Sequence, residues 1–332
     1  NLIEKSLKLR LRSDVPVAFN LSGGIDSGSL VSMARKFYSS DLHTFSVIDD
    51  DPRYDESKNI EIIVNKFNTK HTNINIKNYL DFNSLNNLIK NHDQPVSTIN
   101  YFAHSVLQSK ISESGFKVSI SGTAADEIFA GYWDHHLFYL YDNIDSDNYD
   151  LSLSNWKKYI LPNIENPLLK DPKLFSKKGP NFRDHIYLNS NIYSSFFNEP
   201  FSENLIDENF TSLGLLKNRM MNELLYEITP VCLQNEDLNS MNYSVENRSP
   251  FLDTELFNFA FSIPNNFYIQ NSFSKFILRE AMKNSLDDNI RLDRRKRGFN
   301  ASISSLFNNN DQIQDFVNSN SDIYQILNKD KI

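Results

Sequence analysis

Over the first 140 residues, short apolar runs alternate with longer stretches in which apolar residues recur every three or four positions. The runs at 15–21, 43–48, 70–76 and 117–121 predict strands, and the stretches at 27–38, 55–67, 79–90 and 101–114 predict helices. Strands that read as nearly continuous apolar runs are covered on both faces, so the pattern predicts an α/β core over 1–140 built on a doubly wound parallel sheet. Asp55-Glu56-Ser57 puts acidic residues where the first turn of a helix favours them. From 141 to 215 the chain turns polar and aromatic with no clear period, and Pro162, Pro167, Pro172, Pro180 and Pro200 interrupt any long helix. That stretch is expected to be an insertion or a substrate-facing lid. Residues 216–305 read as largely helical, with breaks near Pro250 and Pro264, and the Asn- and Ser-rich tail at 306–332 is expected to be marginally ordered.

Composition narrows the class. With 40% hydrophobic residues among 332, the chain has material for a large core and for two lobes. A single cysteine, Cys232, excludes a disulfide framework and points to a reducing, cytoplasmic compartment; in Thr229-Pro230-Val231-Cys232 it reads as a structural thiol. No apolar run is long enough to span a membrane, and no signal-like segment opens the sequence. A formal charge of −8 argues against nucleic acid as the main partner, because the basic residues gather in one knot, Arg291 to Arg297. His135-His136 reads as structural, since adjacent histidines point to different sides of a helix. Phe196, Phe197, Phe201 and Phe210 read as packing of the 141–215 stretch, with an acceptor pocket as the alternative.

Candidate chemistry sits at glycines. Of nine glycines, six (Gly23, Gly24, Gly28, Gly122, Gly131 and Gly298) fall in three short polar segments. The first, Ser22-Gly23-Gly24-Ile25-Asp26-Ser27, joins a predicted strand to a predicted helix. There the unpaired N–H groups and positive end of the helix favour an anion, although taken alone a simple glycine turn fits as well. Asp26 would repel a bare phosphate unless a divalent cation lies between them. The second segment, Ser119 to Tyr132, follows another strand and would bring Asp126 to the same carboxyl edge of the sheet, where two carboxylates could hold Mg²⁺ on a triphosphate. Lysine suits the neutralisation of a departing pyrophosphate, and Lys275 and the basic knot are the candidates.

Taken together, SGGIDS, Tyr54-Asp55-Glu56-Ser57, SGTAADEIFAGY, Asn239-Ser240-Met241, Ser244 to Asp253, Lys275 with Leu278-Arg279, and Arg295 to Phe299 resemble, in order, the synthetase domain of asparagine synthetase B. The resemblance runs over about 1–305, with a poor match between 141 and 220. It implies an ATP pyrophosphatase fold of the adenine nucleotide alpha hydrolase-like type and an AMP-forming carbon-nitrogen ligase. The substrate carboxylate attacks the α-phosphorus of ATP, and ammonia then displaces AMP from the acyl-adenylate. By the same resemblance Ser22, Gly23, Gly24 and Ser27 cradle pyrophosphate, and Asp26 and Asp126 hold Mg²⁺. Ser121 and Gly122, with the backbone of Val47 and Ile48, belong to the nucleotide site, while Lys296 with Lys275 stabilises the leaving group.

Thr123 departs from the family, which usually carries glutamate there, near the acceptor carboxylate. A threonine hydroxyl is neither charged nor a useful base at neutral pH. β-Lactam-forming relatives place tyrosine here beside a glutamate, and Glu246 is the residue matched to it, with an ion pair to Arg248 as its plain alternative. The acceptor is therefore aspartate or another carboxylate, such as a sugar uronate. The sequence carries no N-terminal glutaminase domain, so ammonia is expected from a domain or subunit not in this chain; the oligomeric state, homodimer included, is left open. Two other readings remain: a non-catalytic ATP-binding scaffold and a tRNA-modifying ATP pyrophosphatase.

Overall fold

Five parallel strands form one sheet in the order β3-β2-β1-β4-β5: β1 Val17–Asn20, β2 His43–Ile48, β3 Lys70–Asn75, β4 Val118–Ile120 and β5 Glu246–Arg248. The structure, a computed structural model, describes residues 2–38, 40–187, 190–201, 207–295, 318 and 321–331. The first four strands lie within a few residues of the apolar runs. The fifth was not expected, because Glu-Asn-Arg has no apolar signal and lies in a stretch that reads as helical. β5 is placed by pairing: Val118 sits opposite Glu246 and Ile120 opposite Arg248, and the N–H of Ser121 donates to the Arg248 carbonyl at 2.9 Å.

The two faces follow from side-chain alternation. Val17, Phe19, Val118 and Ile120 enter one core, together with residues of α1 (Leu2–Arg10), α2 (Ile25–Ala34) and α3 (Ser57–Phe67). Ala18, Phe45 and Ile74 enter another, covered by α4 (Phe82–His92) and α5 (Ile99–Glu113). Helices on both faces make the sheet doubly wound, as the sequence pattern required.

A third core lies beyond α6 (Ala125–Phe129), where Leu137 and Phe138 of α7 (Trp133–Asp142) pack with Trp156 of α8 (Tyr149–Tyr159). Phe175 of α9 (Leu174–Lys178) joins them, and α10 (Asp184–Tyr187) and α11 (Ser190–Ser195) follow. Much of the stretch that showed no period therefore contributes to a core of its own. Its helices are short, and α8 ends three residues before Pro162.

Among the described residues from 207 on, the main elements besides β5 are helical: α12 (Leu215–Asn222), a π turn at Glu223–Glu227, α13 (Thr229–Asn242), α14 (Thr254–Ser262), α15 (Phe276–Ala281) and α16 (Asp288–Arg291). Within the tail, residues 321–331 are held by hydrogen bonds. The Asn198 N–H donates to the Ile326 carbonyl at 2.9 Å, and Lys331 Nζ donates to the Ser195 carbonyl at 2.9 Å. Among the described residues no helix is long and apolar enough to cross a membrane.

Candidate functional site

The SGGIDS segment is the turn from β1 into α2, and its serines close it. The Ser22 N–H donates to Ser27 Oγ at 3.0 Å, the two hydroxyls lie 3.0 Å apart, and the Gly24 N–H donates to Ser22 Oγ at 3.3 Å. Gly23 is where the loop passes α3. A Cβ there would lie 2.7 Å from Asn59 Cβ, and its N–H donates to Glu56 Oε2 at 3.3 Å. Glu56, expected in the first turn of α3, stands just before that helix, and its carboxylate braces the loop through the Gly23 N–H.

Asp26, in the first turn of α2, and Asp126, in α6, flank one cation. Lys275 Nζ lies 2.7 and 2.6 Å from the two Asp26 oxygens and 2.8 Å from Asp126 Oδ1. The lysine side chain is only 5% exposed. Burial pulls its proton affinity down, but the charges of Asp126 and Asp26 outweigh that and hold Lys275 above its ordinary range. Its backbone does not continue α15, as the helix-like sequence suggested. It sits in the left-handed region at φ 53°, which aims the side chain at the carboxylates. Gly131 makes the approach possible, since a Cβ there would meet Asp126 Oδ1 at 1.7 Å and Lys275 Cε at 2.4 Å.

Two clefts meet at Asp26. One, of about 210 Å³, is lined by Ser22, Gly24, Asp26, Ser27, Ser121, Gly122, Thr123 and Asp126, with His104 of α5 and Glu236 of α13. The other, about 50 Å³, lies on the far side of the loop between Gly23, Gly24, Lys275, Arg294 and Arg295. Part of the basic knot packs on the protein: Arg294 stacks 3.6 Å from the Phe273 ring centre, while the exposed Arg295 pairs with Asp293 at 2.7 Å. Lys296 lies outside the described residues. Val47 and Ile48 stand at the carboxyl end of β2, half-buried and outside the lining of both clefts.

The expectation for Glu246 is corrected. It begins β5 at the amino edge of the sheet, opposite Val118, and Arg248 Nε pairs with it at 2.9 Å. The carboxylate at Thr123 belongs to Glu236, which sequence reasoning missed. Thr123 Oγ1 donates to Glu236 Oε1 at 2.7 Å, and Asn247 Nδ2 donates to Oε2 at 2.8 Å. Burial pushes this carboxyl up to about 7, against the pull of those two hydrogen bonds. Glu246→Gln is expected to leave turnover within about twofold and stability within about 1 kcal/mol of the parent chain, as for an exposed ion pair. Steady-state rates and thermal melts check both.

Among the described residues, one other cluster of ligand-type side chains carries its own counter-charge. Asp134, His135 and Glu223 bring ligand atoms within 4.8 Å of one another. Arg219 already supplies their positive charge, with Nε 2.9 Å from Glu223 Oε1 while His135 Nε2 lies 2.7 Å from Glu223 Oε2. Cys232 lies 3.9 Å from the Tyr101 hydroxyl, and burial pushes its thiol up to about 11, which suits a structural thiol better than a nucleophile. Phe197 packs edge-on against Phe201, and Phe210 stacks on Tyr226, so these rings pack in pairs outside the two clefts.

The sequence model of the asparagine synthase family matches residues 1–322. A putative glutamine-hydrolysing asparagine synthetase 2 of Methanocaldococcus jannaschii is 39% identical over 139 residues, 40% of this chain and 26% of that protein. Glutamine-hydrolysing asparagine synthetase 1 of Bacillus subtilis is 26% identical across 99% of this chain and 53% of its own length. The amidase chyE of Penicillium rubens is 24% identical across 86% of this chain and 49% of its own length. The chain spans about half, or less, of the length of these curated relatives.

Proposed function

From the premise that the chain belongs to the asparagine synthase family, we propose that it amidates a carboxylate through an acyl-adenylate, forming AMP and pyrophosphate with ammonia as the nucleophile. The observation that carries this is the pair Asp26 and Asp126, brought from the starts of two helices to one cation beside the Ser22–Ser27 turn. Two carboxylates 2.6–2.8 Å from an ammonium form a donor set that suits Mg²⁺. Asp26 and Asp126 would hold that ion, whose chemistry is to neutralise charge on the phosphates of ATP.

The remaining roles belong to the chain itself. Ser22, Gly23, Gly24 and Ser27 cradle the pyrophosphate with hydroxyl and N–H groups at the start of α2. Lys275, and Lys296 from the basic knot, offset the charge that develops as pyrophosphate departs. Ser121, Gly122 and the backbone of Val47 and Ile48 receive the adenosine. Positioning the acceptor carboxylate in line with the α-phosphorus supplies much of the rate, because the reaction then proceeds within one complex. The glutamine-hydrolysing names of the relatives support ammonia delivery from a domain or subunit outside this chain.

The test is product analysis by mass spectrometry after incubation with Mg-ATP and an ammonium salt, with aspartate in one tube and a uronic acid or its nucleotide sugar in another. AMP, pyrophosphate and an amide are the expected products. Asparagine would assign aspartate as acceptor despite Thr123, and amide from the sugar acid alone would assign the uronate. ATP bound but left uncleaved in both tubes would favour the scaffold reading.

A further inference from the structure

Helix α13 carries a carboxylate that no motif announces. Glu236 faces the cleft that contains Asp26, Gly122 and Asp126, and one of its oxygens is held from just past β4 and the other from β5. Thr123, just past β4, donates to Oε1 at 2.7 Å, and Asn247 of β5 donates to Oε2 at 2.8 Å. Asn247 is itself fixed, because Ser119 Oγ donates to its Oδ1 at 3.1 Å and its Nδ2 also reaches Ser121 Oγ at 3.3 Å. We infer that Glu236 is the base that takes the proton from attacking ammonia, with Thr123 and Asn247 as the positioning residues that aim its carboxylate.

This inference rests on the amidation reading. In that step the nitrogen lone pair forms a C–N bond to the acyl carbon, and the acyl C–O bond breaks with its electron pair leaving on the phosphate of AMP. The surplus proton on nitrogen passes to the Glu236 carboxylate, giving amide, AMP and a neutral carboxyl. Thr123 cannot perform the transfer, since its hydroxyl accepts protons only weakly, but it donates well and so orients the group that can. Glu246 cannot replace Glu236 from the amino edge of the sheet.

The groups around Glu236 leave its own titration legible. From α5 come Tyr101, pushed up by burial, and His104, pushed down to about 4 by burial and therefore neutral. Cys232 lies one turn back on α13 and His92 on α4, while Glu223 and Glu227 of the π turn are paired with Arg219. Glu127 of α6 is also raised to about 7, by burial and then by Asp126, and it accepts from the Tyr132 hydroxyl at 2.8 Å. The Glu236→Gln variant separates the two carboxyls.

The experiment uses the full chain with an acceptor that the parent protein adenylates, and it reads two half-reactions. Isotopic ATP–pyrophosphate exchange reports adenylation, and amide formation at fixed free ammonia reports the second step. Glu236→Gln is expected to keep exchange within about twofold while amide formation falls on the order of a hundredfold to a thousandfold. Hydroxylamine, whose proton leaves readily to water once the nitrogen is attached, should recover part of the lost rate as hydroxamate. Amide formation requires the carboxylate, so it falls as pH drops through the Glu236 pKa. Thr123→Val and Asn247→Leu remove donors that favour the charged form, so this limb moves to higher pH, and Thr123→Ser returns it. Amide formation by Glu236→Gln within about threefold of the parent rate overturns the assignment, as does an equal fall in exchange and amide formation. If the parent chain shows no exchange with any acceptor, the amidation reading itself fails and takes the assignment with it.

Discussion

Replacing Asp26 with asparagine is expected to lower pyrophosphate release on the order of a thousandfold or more, the scale of losing a preorganised charge at the reacting phosphates. The substitution keeps the shape of the first turn of α2 but removes the charge that lies 2.6–2.7 Å from Lys275 Nζ. Asp126, at 2.8 Å, still pairs the buried ammonium, so the fold should survive with a lowered melting temperature. A coupled pyrophosphate assay beside a thermal melt separates the two effects. A parent-like rate would overturn the proposal that Asp26 holds Mg²⁺.

Lys275→Met is expected to act on stability and catalysis together. The ammonium is the counter-ion for two carboxylates drawn from different elements, and its removal leaves them facing each other with their charges uncompensated. Breaking a buried pair from one side typically costs about 3–5 kcal/mol, so the melting temperature should fall well below that of the parent chain. Millimolar Mg²⁺ without nucleotide should then stabilise the variant more than the parent, because no ammonium competes for the carboxylates. Pyrophosphate formation should fall about a hundredfold even where the fold is intact, since charge on the leaving group loses its buried partner. Thermal melts with and without Mg²⁺ read the first effect and the pyrophosphate assay the second. An identical Mg²⁺ shift in both proteins would mean that the cation does not bind where Lys275 sits.

The legible parts of the site were those written in one continuous stretch. Ser22 to Ser27 is a turn between a strand and a helix whose signals are local, so its position at the carboxyl edge followed from the pattern of β1 and α2. Asp126 was legible for the same reason, after β4. The partner of Thr123 was not. Glu236 lies 113 residues away in sequence, beside Asp237 on a helix of mixed polarity, and nothing local marks it as facing a cleft. Glu246 stood in a recognisable motif and drew the assignment. The pleat of β5 turns Asn247 toward Glu236 and leaves Glu246 at the amino edge beside Arg248.

By itself, the sequence determined the α/β core, the four apolar strands, the Ser22–Ser27 turn from β1 into α2, the place of Asp126 after β4, and the family. Each of these depends on spacing within a few residues or on a run of apolar side chains, which the chain encodes locally. Tertiary structure alone decided that a three-residue polar segment pairs as β5, that Lys275 turns left-handed to bridge Asp26 and Asp126, and that Glu236 meets Thr123. These depend on hydrogen bonds and charge pairs between residues more than a hundred positions apart, and such contacts exist only once the folded chain has brought them within 3 Å of each other.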